Sequence, residues 1–162
     1  MSAEDALTIR LCQITIGKLK ASVPIKAFVL AKFAKKHTVI LGSEGGAEPA
    51  QEDYPVIEIG EIEGVGKGES GNPTYSCAVT MGIVSTTKTV DDAVDYKTIE
   101  YDGLKLVEKF RELVESEILD IKGIGAKIFL SGKTLLENYH PIFKSSTEVF
   151  FEVPRSTAGG RS

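Results

Sequence analysis

The sequence contains no tryptophan, and only two cysteines, two histidines and two methionines among 162 residues. Two cysteines, Cys12 and Cys77, cannot build the multi-bridge framework of a small secreted domain. They read as small buried hydrophobes in a reducing compartment. His37 and His140 lie far from the cysteines and from each other, so no zinc-ligand spacing can be written. That count leaves an oxygen-ligand site open. No apolar stretch reaches the roughly eighteen residues of a membrane span. No charged-then-apolar segment opens the chain either, so neither a membrane helix nor a secretory leader is expected.

What is present suits one core. A chain of this length buries roughly 68–70% of its unfolded surface and needs no staple to stay folded. Residues 1–154 are expected to form a single α+β domain. The tail "RSTAGGRS" (155–162) has nothing to bury and is expected to be disordered. Charge is divided along the chain. Residues 1–37 carry a net +5, residues 38–120 a net −12 and residues 121–162 a net +3. Such a division suits electrostatic matching between neighbouring subunits, or simply a solvated surface.

The periodicity orders the elements. Ser2 and Asp5 suggest a cap, followed by Leu7, Leu11 and Ile14 at helical spacing, although "LTIRLCQITI" also alternates like a strand. Ser22 and Pro24 open a second helix that runs through Phe28 and Phe33 to Lys36. "HTVILG" (37–42) reads as a short strand, and the polar stretch through residue 53 as a loop. "YPVIEIGEI" (54–62) and "TYSCAVTMGIVSTT" (74–87) read as strands, joined by a connection with five glycines at 60–72. Residues 88–102 read as a linker. The helix over 103–119 is the strongest signal, with Leu104, Val107, Phe110, Val114 and Ile118 in one stripe and Leu106 and Leu113 widening it. Gly123 and Gly125 follow it. "AKIFLSGKTLL" and "STEVFFEVP" read as two strands joined through Tyr139, His140 and Pro141. Runs of strands, rather than strict alternation with helices, predict a mainly antiparallel sheet with helices packed on it.

Three motifs invite a chemical reading. "IFLSGKT" (128–134) ends like a phosphate-binding loop, but that loop needs a glycine where Lys127 stands. A strand with a bulge at Gly132 fits better. "GKGESG" (66–71) matches G-x-G-x-x-G, yet Asn72, Pro73 and a β-rich run follow where the pyrophosphate-binding helix should begin. It reads as a hairpin connection. His140 stands near Ser131, Ser145 and Ser146 in sequence, but nothing resembles G-x-S-x-G, and it reads as a loop histidine. Asp91-Asp92, and Glu61 with Glu63, sit in polar or glycine-rich segments with no apolar setting, so they read as solvated. No catalytic, cofactor or metal site is therefore expected, which favours a structural or interaction protein.

Read from 54 to 154, the order of features resembles the tail terminator (tail-completion) proteins of long-tailed bacteriophages. "YPVIEIGEIEG", "TYSCAVTMGIVSTT", "YDGLKLVEKFRELVESEIL" and "KIFLSGKTLLENYHPIFKSSTEVFFEVP" carry it, over about a hundred of the 162 residues. The family often places a tryptophan-containing segment at the end of its penultimate strand, which this chain lacks, and residues 1–37 have no distinctive match. The resemblance implies a ring, commonly of six subunits, on the head-proximal end of the tail tube. Such a ring stops tube growth and presents the surface to which a filled head docks. It implies the tail tube protein and a head-completion or connector protein as partners, with DNA passing through the lumen without specific binding. It also implies a place in the virion tail after assembly in the host cytoplasm, with no membrane partner. Glu61, Glu63, Lys67 and Glu69, in the glycine-rich connection, are the candidate interface residues. A tail tube or neck protein is the nearest alternative, and a nucleotide-binding enzyme a distant one.

Overall fold

The computed structural model describes residues 3–42, 48–67, 71–135 and 140–154. Three helices, α1 (Ala3–Ala21), α2 (Val23–Phe33) and α3 (Asp102–Leu119), pack on one side of a sheet. The strands are β1 (Thr38–Leu41), β2 (Val56–Ile59), β3 (Glu63–Lys67), β4 (Pro73–Val84), β5 (Lys88–Asp92), β6 (Lys97–Tyr101), β7 (Lys127–Leu135) and β8 (Ile142–Glu152). The fold is α+β, and its strand pairs are antiparallel except for β1 with β2.

Helix α3 forms where the apolar stripe demanded it. Val107, Phe110, Val114 and Ile118 are fully buried. Asp102 in its first turn complements the positive end of the helix dipole. The stripe begins differently from the sequence expectation, however. Leu104 is 41% exposed, and Gly103 takes the inward position against Phe143. Phe28 of α2 stacks on Phe110 with ring centroids 6.0 Å apart, joining the second helix to the third. Helix α2 is opened by Ser22, whose hydroxyl accepts from the Ile25 N–H at 3.2 Å. It ends at Phe33, because Ala34 turns into the left-handed region, three residues short of the expected Lys36. The ambiguous first segment is helical, with Leu11 and Leu19 in the core; the expected cap at Ser2 lies outside the described residues.

The sheet is organised around β4. Along one edge it pairs with β8 over its whole length, from Thr74↔Glu152 to Val84↔Ile142. Along the other edge, its C-terminal half pairs with β2 and its N-terminal half with β3. Alternation then sorts the side chains. Tyr75, Cys77, Val79, Met81 and Ile83 point to the helices and are buried. Their neighbours point to the opposite face, which none of the three described helices covers. The order β1-β2-β4-β8-β7, with β3 following β2 along the same edge of β4, leaves β1, β3 and β7 as the outer strands among the described residues.

Three departures from the sequence reading are informative. The glycine-rich connection contains β3, whose one apolar side chain, Val65, is exposed and whose order comes from pairing with β4. The expected linker at 88–102 is a two-stranded sheet of its own, β5 with β6. The last strand begins at Ile142 rather than Ser146, extending its pairing with β4. "IFLSGKT" is strand β7 paired with β8, and the register slips between Ser131 and Lys133, making Gly132 the extra residue of a bulge. The tail at 155–162 and the link through Tyr139 lie outside the described residues.

Candidate functional site

The break between β2 and β3 makes a notch in the sheet. Gly60 crosses it closely, its N–H donating to the Ala78 carbonyl at 2.8 Å. A Cβ there would meet that same oxygen at 3.2 Å. An open cleft of about 700 Å³ fills the notch, lined by Cys12 of α1, Leu41, Glu58, Glu61, Ile62 and Thr80. Glu61 is exposed at its rim, and Glu63 and Lys67 are exposed at the two ends of β3. The structure thus brings Glu61 and Glu63 together at the notch and leaves Lys67 at the far end of a short strand. Glu69 lies outside the described residues.

On the helix-free face, Glu58 stands beside a small charged group. Lys144 pairs with Glu48, and the Tyr54 hydroxyl donates to Glu48 at 3.3 Å. The Tyr54 ring covers Gly82, where a Cβ would lie 2.7 Å from the ring edge. The bond from Lys144 holds the Glu48 carboxyl below its ordinary value. Burial, with Glu48 nearby and against the pull of Lys144, pushes the Glu58 carboxyl above its own. The two carboxyls therefore act oppositely on stability. Glu48 contributes stability above its unfolded pKa, lost as pH falls through its lowered folded value. Glu58 costs stability once pH rises above 4.5, and the cost is complete above its raised folded value. Glu58→Gln is expected to raise the urea midpoint near neutral pH and to leave it unchanged below pH 4.5. Equal gains at both pH values would remove the assigned burial cost.

Ser145 and His140, near one another in sequence, take different partners. Ser145 is fully buried and donates to Glu108 at 3.1 Å, while the His140 ring lies 3.5 Å from the Thr86 carbonyl and against Tyr101. Arg111, buried on α3, bonds Glu108 at 2.8 Å and also Glu115, so its charge is met within the helix. That cluster fastens α3 to β8. Burial pushes the Cys77 thiol up to about 12, which keeps it protonated and unreactive. Among the described residues, no three His, Cys, Asp or Glu side chains converge on a metal-sized site.

Two surfaces went unremarked in the sequence. The first is the arm formed by β5 and β6, with Val90 directly opposite Ile99, both nearly half exposed. Its turn closes with the Ala93 N–H on the Tyr96 carbonyl at 2.8 Å, and carries a fully exposed Val94 and a half-exposed Tyr96. Its β-branched residues at 89–90 and 98–99, flanking "DDAVDY", were the available signal. The second is a groove of about 460 Å³ between α1, α2 and β1, where Lys20, Lys26, Lys35 and Lys36 surround Leu30 and Val39. No lysine spacing on one element announces it, because the four come from separate elements and loops.

No helix among the described residues is long and apolar enough to cross a membrane. No protein-family model matches the chain, and no curated protein matches it significantly.

Proposed function

We propose that the chain is a structural virion protein of the tail-terminator kind. In this reading it forms a ring on the head-proximal end of a phage tail tube, ends tube growth and offers the head-docking surface. One observation carries it. The four segments behind the resemblance become, in order, β2, β4, α3 and the β7–β8 pair of one sheet-and-helix unit with outer strands on both sides. Outer strands are where neighbouring copies can extend a sheet, and a ring needs two different faces on each copy. The partners in this reading are other copies of the chain, commonly six, the tail tube protein and a head-completion or connector protein, with DNA passing through the lumen. The notch with Glu61 and Glu63 supplies acidic surface at one rim.

The test is negative-stain microscopy and light scattering of the purified chain, alone and with polymerising tube protein. Rings that seat on tube ends and shorten the tubes are expected. A strict monomer that leaves tube length unchanged would sink the reading. A tail tube protein is the second reading, favoured by the projecting arm, which could bridge stacked rings. Long stacks of the chain alone would decide for it.

A further inference from the structure

We propose that the β5–β6 arm of one copy seats in the basic groove between α1, α2 and β1 of a second copy. Each strand of the arm pairs only with the other. Apart from Ala93 in the turn and Tyr101 at the root, every residue of the arm is exposed. A two-stranded hairpin alone is marginal in water and gains from a surface to pack on. Among the described residues, the arm's own subunit covers little of it, and no arm residue lines the groove.

The chemistries match. Residues 90–96, "VDDAVDY", carry three carboxylates, no cation and the exposed side chains of Val90, Val94 and Tyr96. The groove offers four lysines around an apolar floor to which Leu30, itself 66% exposed, contributes. Lys35 donates to the Glu52 carbonyl, whereas Lys20, Lys26 and Lys36 make no ion pair among the described residues. Asp92 and Asp95 likewise pair with no cation there. Val39 places the groove beside β1, an outer strand whose free edge can accept a further strand. The arm and groove are two different patches of one chain, so their contact is of the kind that links copies head to tail. Apolar contact supplies the seat, and the opposed charges select it.

This inference rests on the ring reading only for closure of the assembly, and its test separates the two. Two variants are made: Asp91→Lys with Asp92→Lys and Asp95→Lys, and Lys20→Glu with Lys26→Glu and Lys36→Glu. All six positions are exposed, so each variant is expected to melt close to the parent. Sedimentation velocity at low salt should show the parent assembled, each variant alone shifted to monomer, and the equimolar mixture reassembled. The mixture pairs a basic arm with an acidic groove and an acidic arm with a basic one. Raised salt should weaken both the parent and the mixed assembly. Variants that assemble like the parent overturn the arm-to-groove contact while leaving the ring reading intact, and so does a mixture that stays monomeric. A parent monomeric throughout overturns both. Rescue in the mixture without capping of tubes supports the contact and removes the terminator reading.

Discussion

Phe110→Ala is expected to lower the free energy of unfolding by about 3–5 kcal/mol, the range for emptying a fully buried aromatic site. Phe110 lies at the centre of α3, has no exposed surface and stacks on Phe28. Its loss removes the transfer energy of the ring and leaves a cavity bounded by the sheet below and α2 above. Those walls are held by the backbone pairing of β4 with β8 and cannot collapse far. For a chain of this size, that corresponds to a fall in melting temperature of roughly 6–20 °C. Circular dichroism melts and urea titration of parent and variant measure it. A loss under about 1 kcal/mol would mean that α3 is not seated on the sheet as described.

Gly103→Ala reverses the usual sign. In a helix that exchange normally gains up to about 1 kcal/mol. Here a Cβ would lie 2.1 Å from Cδ2 of Phe143 and 2.2 Å from Cε2, and Phe143 is itself buried on β8. Ring or helix must move, and overpacking of this kind costs about 1–3 kcal/mol. The cost is expected to fall once the ring is gone. In a Phe143→Leu background the same alanine should be near neutral, so the double-mutant cycle should show strong coupling. Additive losses would place the clash elsewhere. The pair also explains how close α3 comes to the sheet at its N-terminal end: glycine meets a phenyl face where a leucine stripe would have held the helix further off.

The sequence made visible those elements whose own side chains set a period. Helix α3, the β7–β8 pair and even the bulge at Gly132 follow from apolar spacing and one misplaced glycine. The elements it hid owe their order to partners. Strand β3 has a single apolar side chain and two glycines, and it is a strand because β4 offers it an unpaired edge. The arm buries neither face, so Thr89, Val90, Thr98 and Ile99 carry no alternation of buried and exposed positions to set their two strands apart from a linker. Of the candidate interface residues, Glu61 and Glu63 stand exposed at the notch and Lys67 at the far end of β3, while Glu69 lies outside the described residues. The basic character of residues 1–37 is visible in the sequence, but the groove is not, because only the packing of α1, α2 and β1 together brings Lys20, Lys26, Lys35 and Lys36 around one apolar floor.

The root of the arm carries a separate consequence. The Asp102 N–H donates to the Thr87 carbonyl at 3.1 Å, so the chain leaves the domain and re-enters it at nearly the same point. Tyr101 packs beside Phe143 and seals that point. The sheet and helices therefore register only a closed doorway, and closing a longer or shorter loop across it changes the entropy slowly. Residues 88–100 can be lengthened, exchanged or replaced by a tight turn with little tax on the core. The fold carries its arm as a detachable cassette, whose length and sequence can change while the core that presents it stays folded.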